Sequence, residues 1–315
     1  MPLRPAASAP PSVPDGGMAT AWPWSTSASS SSATGVPAPQ HTVISAGCTQ
    51  SIPLGAYTVR TMLLDFDHVE DGARTVSAII AAGMVPAALE MRDALCTRAV
   101  EAYVHAGLPI DAEAILLVEV AGLGPGLDRQ VERISAIGRE HGARTVRIAR
   151  DEAERALLWK GRKTAFGAVA RIKPNYYLHD TVVPRRRLTE VLQQVYEIAA
   201  RHDLLVMNVF HAGDGNLHPL LVFDKSEPGT LERVHAAGEE IVRVSVAAGG
   251  VLSGEHGIGL EKRDLMPMMF GPDDLAAQAS LRAAFDPSGL ANPLKVLPSP
   301  AGCGDVQHVP AGAWI

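Results

Sequence analysis

Cysteine is scarce: Cys48, Cys96 and Cys303 are an odd number at wide spacings, with no C-x-x-C pair. Neither a disulfide framework nor a thiolate metal site is implied, and a reducing, cytoplasmic setting fits best. Basic runs are absent as well. No stretch of five or more Lys/Arg occurs, and a net charge of -6 with a pI near 6.0 offers no field for phosphate backbones. Nucleic acid is therefore not an expected partner. Apolar stretches such as Ala114 to Val118 meet charge within a few residues, far short of the roughly 20 residues that cross a bilayer. No membrane span is expected, and the N-terminus lacks the basic and apolar regions of a secretion signal. What the chain does have is 47% hydrophobic residues over 315 positions, enough to bury a real core.

Residues 1–57 contain nine Pro and ten Ser but only two charged residues, Arg4 and Asp15. Such a segment cannot bury enough apolar area to offset its ordering entropy, so it reads as a disordered low-complexity leader. Two origins stay open for it. It is either a flexible leader or out-of-frame translation of a GC-rich gene, which the 22 Arg against six Lys suggest.

From Tyr57 the texture changes to apolar strands and amphipathic helices joined by short Gly or Pro turns. Strands are expected at 58–66, 87–91, 114–120, 145–149, 176–183, 204–211 and 217–223. Helices are expected at 70–82, 92–106, 127–141, 151–170 and 187–202, then in a long run to Ala248 and again at 275–285. Hairpins mixed with crossovers favour an α+β fold, a mainly antiparallel sheet with helices over one face. The domain spans 58–298, and 299–315 reads as an irregular tail. Gly122, Gly124 and Gly126 follow a strand, but Pro125 and the wrong spacing make them a turn rather than a dinucleotide loop. Met266, Met268 and Met269 read as core filler.

His211-Ala-Gly-Asp-Gly-Asn-Leu-His218 lies between two strands. An Asp-Gly pair there signals a type I′ hairpin; with Asp214 and Gly215 at its centre, His211 would face His218 and the two imidazoles could share a metal ion. A surface hairpin with two incidental histidines is the alternative. Ser253-Gly254-Glu255-His256-Gly257-Ile258-Gly259 sets acid beside imidazole in a glycine-rich loop. In extended chain neighbouring side chains point opposite ways, so Glu255 could ligate a metal while His256 faces a substrate proton. A salt-bridged Glu and a solvated His in a tight loop would explain the same residues.

Taken together, the two clusters resemble the FAD-linked oxidase C-terminal domain of vanillyl-alcohol-oxidase-like flavoproteins, in particular glycolate oxidase D subunits and D-lactate dehydrogenases. The resemblance covers about residues 58–298. It extends to Pro86-Ala-Ala-Leu-Glu90, Leu158-Trp159-x-x-Arg162-Lys163, Tyr176-Tyr177-x-x-Asp180-x-x-Val183-Pro184-Arg185 and Asp286-Pro287-x-x-x-x-Asn292-Pro293-x-Lys295. It implies a divalent metal, Zn or Mn, held by His211, His218 and Glu255. It further implies His256 as the base that takes the substrate's hydroxyl proton, Arg162 as an anchor for its carboxylate, and Asn292 and Gly257 as flavin contacts. The implied reaction is oxidation of a small D-2-hydroxy acid, glycolate or D-lactate, with FAD as acceptor and electrons passed to an iron-sulfur subunit, a quinone or a cytochrome.

Three departures qualify that reading. The flavin domain that should precede Tyr57 is not there, so a separate flavin-domain partner is implied. Leu294 stands where a Gly is usual before Lys295. Leu178 and His179 replace the substrate lysine of hydroxyglutarate dehydrogenases, which disfavours a dicarboxylate. Two other functions remain in view: a metal-binding remnant without redox chemistry, and an ether-lipid synthase-like flavin transferase.

Overall fold

The computed structural model describes residues 41–45, 48–52 and 57–298. The chain divides into two units, Met1–Ser51 and Ile52–Ile315. Strands β1 (His41–Ser45) and β2 (Cys48–Ile52) pair as a two-stranded sheet of their own. Residues 1–40 of the expected leader and the expected tail 299–315 lie outside the described residues.

The fold is carried by a nine-stranded sheet in which every described pairing is antiparallel. Its centre is β3 (Tyr57–Phe66) against β5 (Ala114–Leu123), paired residue for residue from Tyr57↔Leu123 to Phe66↔Ala114. The edge strand β6 (Ala143–Ile148) flanks β3, while β4 (Ala88–Asp93) and then β9 (Leu205–His211) follow β5 on the other side. Beyond β9 the sheet forks. The first half of β9 pairs with β11 (Pro219–Phe223), itself paired to β7 (Asn175–Leu178). The far end of β9, at His211, pairs with β10 (Asn216–Leu217), which pairs with β8 (Thr181–Val182).

Helices cover both faces of this sheet, whereas the sequence reading placed them over one. On one face Met62, Leu64 and Phe66 pack with α1 (Val69–Ala81), α3 (Gly124–Glu140), α6 (Leu188–Arg201) and α7 (Thr230–Ala247). On the other, Leu63, Ile115, Leu117, Met207 and Val209 pack with α2 (Ala94–Val104), α4 (Glu152–Lys163) and α5 (Ala165–Val169). The reason is visible in β5, whose residues Ala114–Val120 are all buried, the apolar run Ala114–Val118 and Glu119 alike: such a run belongs to a strand covered on both sides, not to one with a wet face. Helix α6 shows the matching stripe, with Leu188, Val191, Leu192, Val195 and Ile198 buried at helical spacing. Each such side chain contributes roughly 1.5–3 kcal/mol through burial. At Gly138, α3 lies so close to β3 that a Cβ would fall 2.3 Å from Leu64.

Two local expectations need correction. Gly124–Gly126 form the first turn of α3, where Pro125 is tolerated because its missing N–H would lack a helical partner anyway. The strand expected over 176–183 breaks at His179–Asp180 into β7 and β8, because the Asp180 carbonyl accepts from Lys262 and its carboxylate is drawn to a different part of the chain. Met266 does pack as core, in a small cluster with Val242 and Leu252. Helix α8 (Pro272–Phe285) buries no residue. No described helix is long and apolar enough to cross a membrane.

Candidate metal centre

The register of β4 against β9 sets Glu90 directly opposite His211, at the close spacing of cross-strand neighbours on one face. Glu90 Oε1 lies 2.7 Å from His211 Nδ1, and Glu90 Oε2 accepts from Arg162 Nε at 2.7 Å. Arg162 arrives from α4, which is tied to β4 by the Arg92 guanidinium donating to the Gly161 carbonyl at 2.7 Å. Burial is the largest influence on Glu90 and acts to raise its pKa, but His211 and Arg162 outweigh it and hold the carboxyl below its ordinary value. The hydrogen bond to Glu90 in turn raises the pKa of His211. With Nδ1 engaged, His211 turns Nε2 toward Glu255, 3.4 Å away.

The turn after His211 differs from the expected type I′ hairpin. His211 pairs with Asn216 rather than His218, and the loop Ala212–Gly215 is closed by Asp214 N donating to His211 O and Gly215 N donating to Ala212 O. Only Gly215 has positive φ, at 72°, and a Cβ on it would lie 2.2 Å from the Val183 carbonyl oxygen. The longer loop relieves Asp214 of a left-handed conformation and still brings the imidazoles together. Their ring centroids are 5.3 Å apart at 80°. His218 is 2% exposed; its Nε2 stands 3.2 Å from Glu255 Oε1 and 3.5 Å from Asp180 Oδ1, and neither ring nitrogen makes a well-aligned hydrogen bond.

Glu255 and His256 sit on a curled loop, not on extended chain, so their side chains do not diverge as expected. Asp180 Oδ2 accepts from Ser253 Oγ at 2.6 Å and from the amides of Gly254, Glu255 and His256 at 3.0, 3.0 and 2.9 Å. Ser253 Oγ closes the loop by accepting from Gly257 N at 2.7 Å. Gly254 is required where it is, since a Cβ would meet the Asn216 side chain at 2.6 Å. Burial acts most strongly on Asp180 and would raise its pKa; His218, Ser253 and the loop amides hold it far below the usual carboxylate range.

The three expected metal ligands converge: one donor atom from each of His211, His218 and Glu255 lies within 4.8 Å of the other two. The residues suit a divalent ion. Two imidazoles and a carboxylate form a borderline-soft donor set, the buried His218 nitrogens lack well-aligned partners, and the other nitrogen of His211 is oriented by a carboxylate in the manner of metal-binding histidines. His256 stacks on His218 with centroids 5.0 Å apart at 13°. It also lines a cavity of about 650 Å³ together with Tyr177, Asp180, Lys262 and Lys295. Burial lowers the Lys262 pKa to about 8.

The other expected site residues are placed differently. Arg162 lies behind His211, does not line that cavity, and makes no hydrogen bond through its terminal nitrogens to a described residue. Asn292 is exposed, with φ 49° and its Oδ1 accepting from Lys295 Nζ at 2.9 Å. Gly257 has φ 87° and open space where a Cβ would stand, while its N–H is held by Ser253 Oγ. Leu294 adopts φ 65°, a conformation glycine takes without strain. The segment is tied to the loop by Val296 N donating to Gly259 O at 2.8 Å. Glu90 and Asp180 were quoted in the sequence motifs without a role. A lone carboxylate inside an apolar strand, such as Glu90 in Ala88–Met91, is the signal that could have marked a buried, partnered charge.

Residues 57–296 match the family model described as FAD linked oxidases, C-terminal domain. The chain is 47% identical over 255 residues to glycolate oxidase subunit GlcD of Escherichia coli (strain K12), covering 80% of this chain and 51% of that protein. It is 37% identical over 239 residues to the GlcD subunit of Bacillus subtilis (strain 168), covering 76% and 51%. It is 32% identical over 239 residues to a probable mitochondrial D-lactate dehydrogenase of Danio rerio, covering 74% and 47%. The chain thus spans about half the length of these relatives. Among solved structures, 4-ethylphenol oxidase from Gulosibacter chungangensis superposes with a TM-score of 0.58 at 16% identity, over 79% of this chain and 55% of that one. A p-cresol methylhydroxylase gives 0.59 at 12% identity over 76% and 52%. These two share the fold.

Proposed function

The chain belongs to the FAD-linked oxidase C-terminal domain family, and from that premise we propose that it forms the substrate- and metal-binding part of an oxidoreductase converting a small D-2-hydroxy acid, glycolate or D-lactate, to the 2-oxo acid. The observation that carries this reading is the convergence of His211, His218 and Glu255 beside the stacked ring of His256. A bound Zn or Mn ion would supply Lewis acidity that lowers the pKa of a coordinated hydroxyl, and FAD would supply the two-electron acceptor. His256, half-exposed at the cavity, takes the hydroxyl proton. Arg162 holds Glu90 through Nε and keeps its terminal nitrogens for the substrate carboxylate. Asn292 and the backbone at Gly257 would contact the flavin.

Among the described residues the glycine-rich segments are the 254–259 loop and the start of α3, so most of the flavin is held outside residues 57–298. A second polypeptide carrying a flavin-binding part, or an iron-sulfur subunit beyond it, fits the subunit naming of the bacterial relatives.

Elemental analysis of the purified chain tests the first half of this reading. About one Zn or Mn per chain is expected, and His211→Ala with His218→Ala should abolish it; a wild type without metal under replete conditions removes the site. With a flavin-binding part from a GlcD relative supplied in trans, hydroxyacid-dependent dye reduction should appear. His256→Ala should lower turnover on the order of 100- to 10,000-fold without loss of metal.

A further inference from the structure

We propose that Asp180 is the positioning residue of the centre: one buried carboxylate that fixes Glu255 and His256 together relative to His218. The inference rests on the metal reading above for what the loop positions, but its geometry is independent of any ion.

Three successive amides, those of Gly254, Glu255 and His256, converge on a single oxygen of Asp180. Backbone N–H groups gathered in this way form a concave anion-binding nest, here filled by a side chain from another part of the chain, 74 to 76 residues earlier. Amides bonded to an ionised acceptor are held roughly twice as strongly as by a neutral one. The loop has little else to hold it. Glu255 and His256 are exposed, Gly257 and Gly259 take positive φ, and a Cβ at either glycine would meet open space. Ser253, through its hydroxyl, relays the same anchor to Gly257 N.

Asp180 is itself held from both sides. It sits 1% exposed at the break between β7 and β8, its own carbonyl accepts from the buried Lys262 ammonium, and its other oxygen, Oδ1, faces His218 Nε2 at 3.5 Å. The same residue therefore touches the loop that carries Glu255 and the imidazole that Glu255 must meet. The β7–β11 ladder continues one step, through His179 N donating to Pro219 O, and Asp180 lies where it ends.

The test uses the full chain and three variants, Asp180→Asn, Asp180→Ala and Ser253→Ala. Amide exchange of residues 253–257 is followed by mass spectrometry in metal-free protein, and Zn affinity by calorimetry. Asn keeps one acceptor oxygen without charge, so loss of loop protection should rank Ala above Asn, with exchange at least about tenfold faster in Asn than in wild type. Zn affinity should fall about 10- to 100-fold in Asp180→Asn, the usual cost of losing a partner that orients a ligand, while amides of β3 and β5 exchange as before. Should Asp180→Ala fail to fold, Asp180→Asn and Ser253→Ala carry the test.

Protection of 253–257 unchanged in Asp180→Asn overturns the proposal, as does Zn affinity within about twofold of wild type. Lost affinity with a still-protected loop also overturns it, and makes Asp180 a metal ligand instead. A wild type that binds no Zn defeats the metal reading alone, and the exchange measurement then decides whether Asp180 holds the loop.

Discussion

In the loop that carries Glu255 and His256, one buried carboxylate accepts four hydrogen bonds; in α8, some twenty residues further on, no side chain is buried at all. The chain beyond α8 returns to the loop through the Val296–Gly259 bond, yet the two regions are packed by different means. Around the metal centre each polar group answers another: Arg162 to Glu90, Glu90 to His211, Asp180 to the loop. Along 281–296 the apolar groups answer nothing described, with Phe285 85%, Leu290 81% and Leu281 62% exposed. Soluble proteins do not commonly leave so concentrated an apolar strip bare, and such strips mark contact surfaces. The contrast teaches that the loop is fixed by partners within this chain, whereas the edge along 281–296 has no cover among the described residues. On the proposed function this edge would receive the flavin-holding part: the chain spans about half the length of its relatives, and Lys295, in the same strip, lines the cavity beside His256.

The largest effect should come from breaking that edge. Phe285→Asp with Leu290→Asp removes two apolar anchors, each worth roughly 1.5–3 kcal/mol when covered, so affinity for the flavin-binding part of a GlcD relative should drop by about 100-fold or more. Metal content and melting temperature of the isolated chain should stay as in wild type. Equal binding by the variant would show that the strip faces something else.

A smaller effect should come from loosening the metal end without touching a ligand. Glu90→Gln keeps the shape but loses the charge that orients His211 Nδ1 and neutralises Arg162. Zn affinity is expected to fall about 10- to 100-fold, read by calorimetry at constant pH. An unchanged affinity would mean that the backbone register of β4 and β9 alone holds His211 in place.

How much of this was legible beforehand follows from what each feature depends on. The strands β3 and β9 and the stripe of α6 are written in local apolar periodicity and were read to within a residue, while β5 runs three residues beyond its expected end. The set His211, His218 and Glu255 was implied by a family resemblance, and the three side chains stand together although the turn expected between the histidines did not form. The reason is tertiary. Gly215 is pressed against the Val183 carbonyl and Gly213 N donates to Leu89 O, contacts with strands far off in sequence that select the longer loop. Asp180 stayed without a role for the same reason, because the loop that it holds lies more than 70 residues away and meets it mainly through backbone amides, which leave no mark in side-chain spacing. Nothing in the helix of Arg162 reveals that Glu90 stands opposite and takes its Nε, so that contact was not read in advance.

The finest test concerns why the metal end holds its charges, and it uses a second carboxylate on the same strand. Asp93 lies three residues after Glu90 on β4 and is likewise buried, but its partners are neutral donors: the amides of Cys96 and Asn208 and the Tyr196 hydroxyl. Burial therefore prevails there, and the Asp93 pKa rises to about 6, whereas Glu90 between Arg162 and His211 is lowered. A carboxyl whose folded pKa exceeds its unfolded value near 3.9 keeps a proton that the unfolded chain has released. Its contribution to stability is fully present below about pH 4 and is lost as pH rises through about 6. Asp93→Asn cannot titrate, and other groups cancel when the two proteins are compared. The melting temperature of wild type minus that of Asp93→Asn should accordingly be a few degrees larger at pH 4.5 than at pH 7. A difference that does not change with pH would mean that Asp93 stays ionised like Glu90, and that burial on β4 is too weak for charged partners to be what distinguishes the metal end.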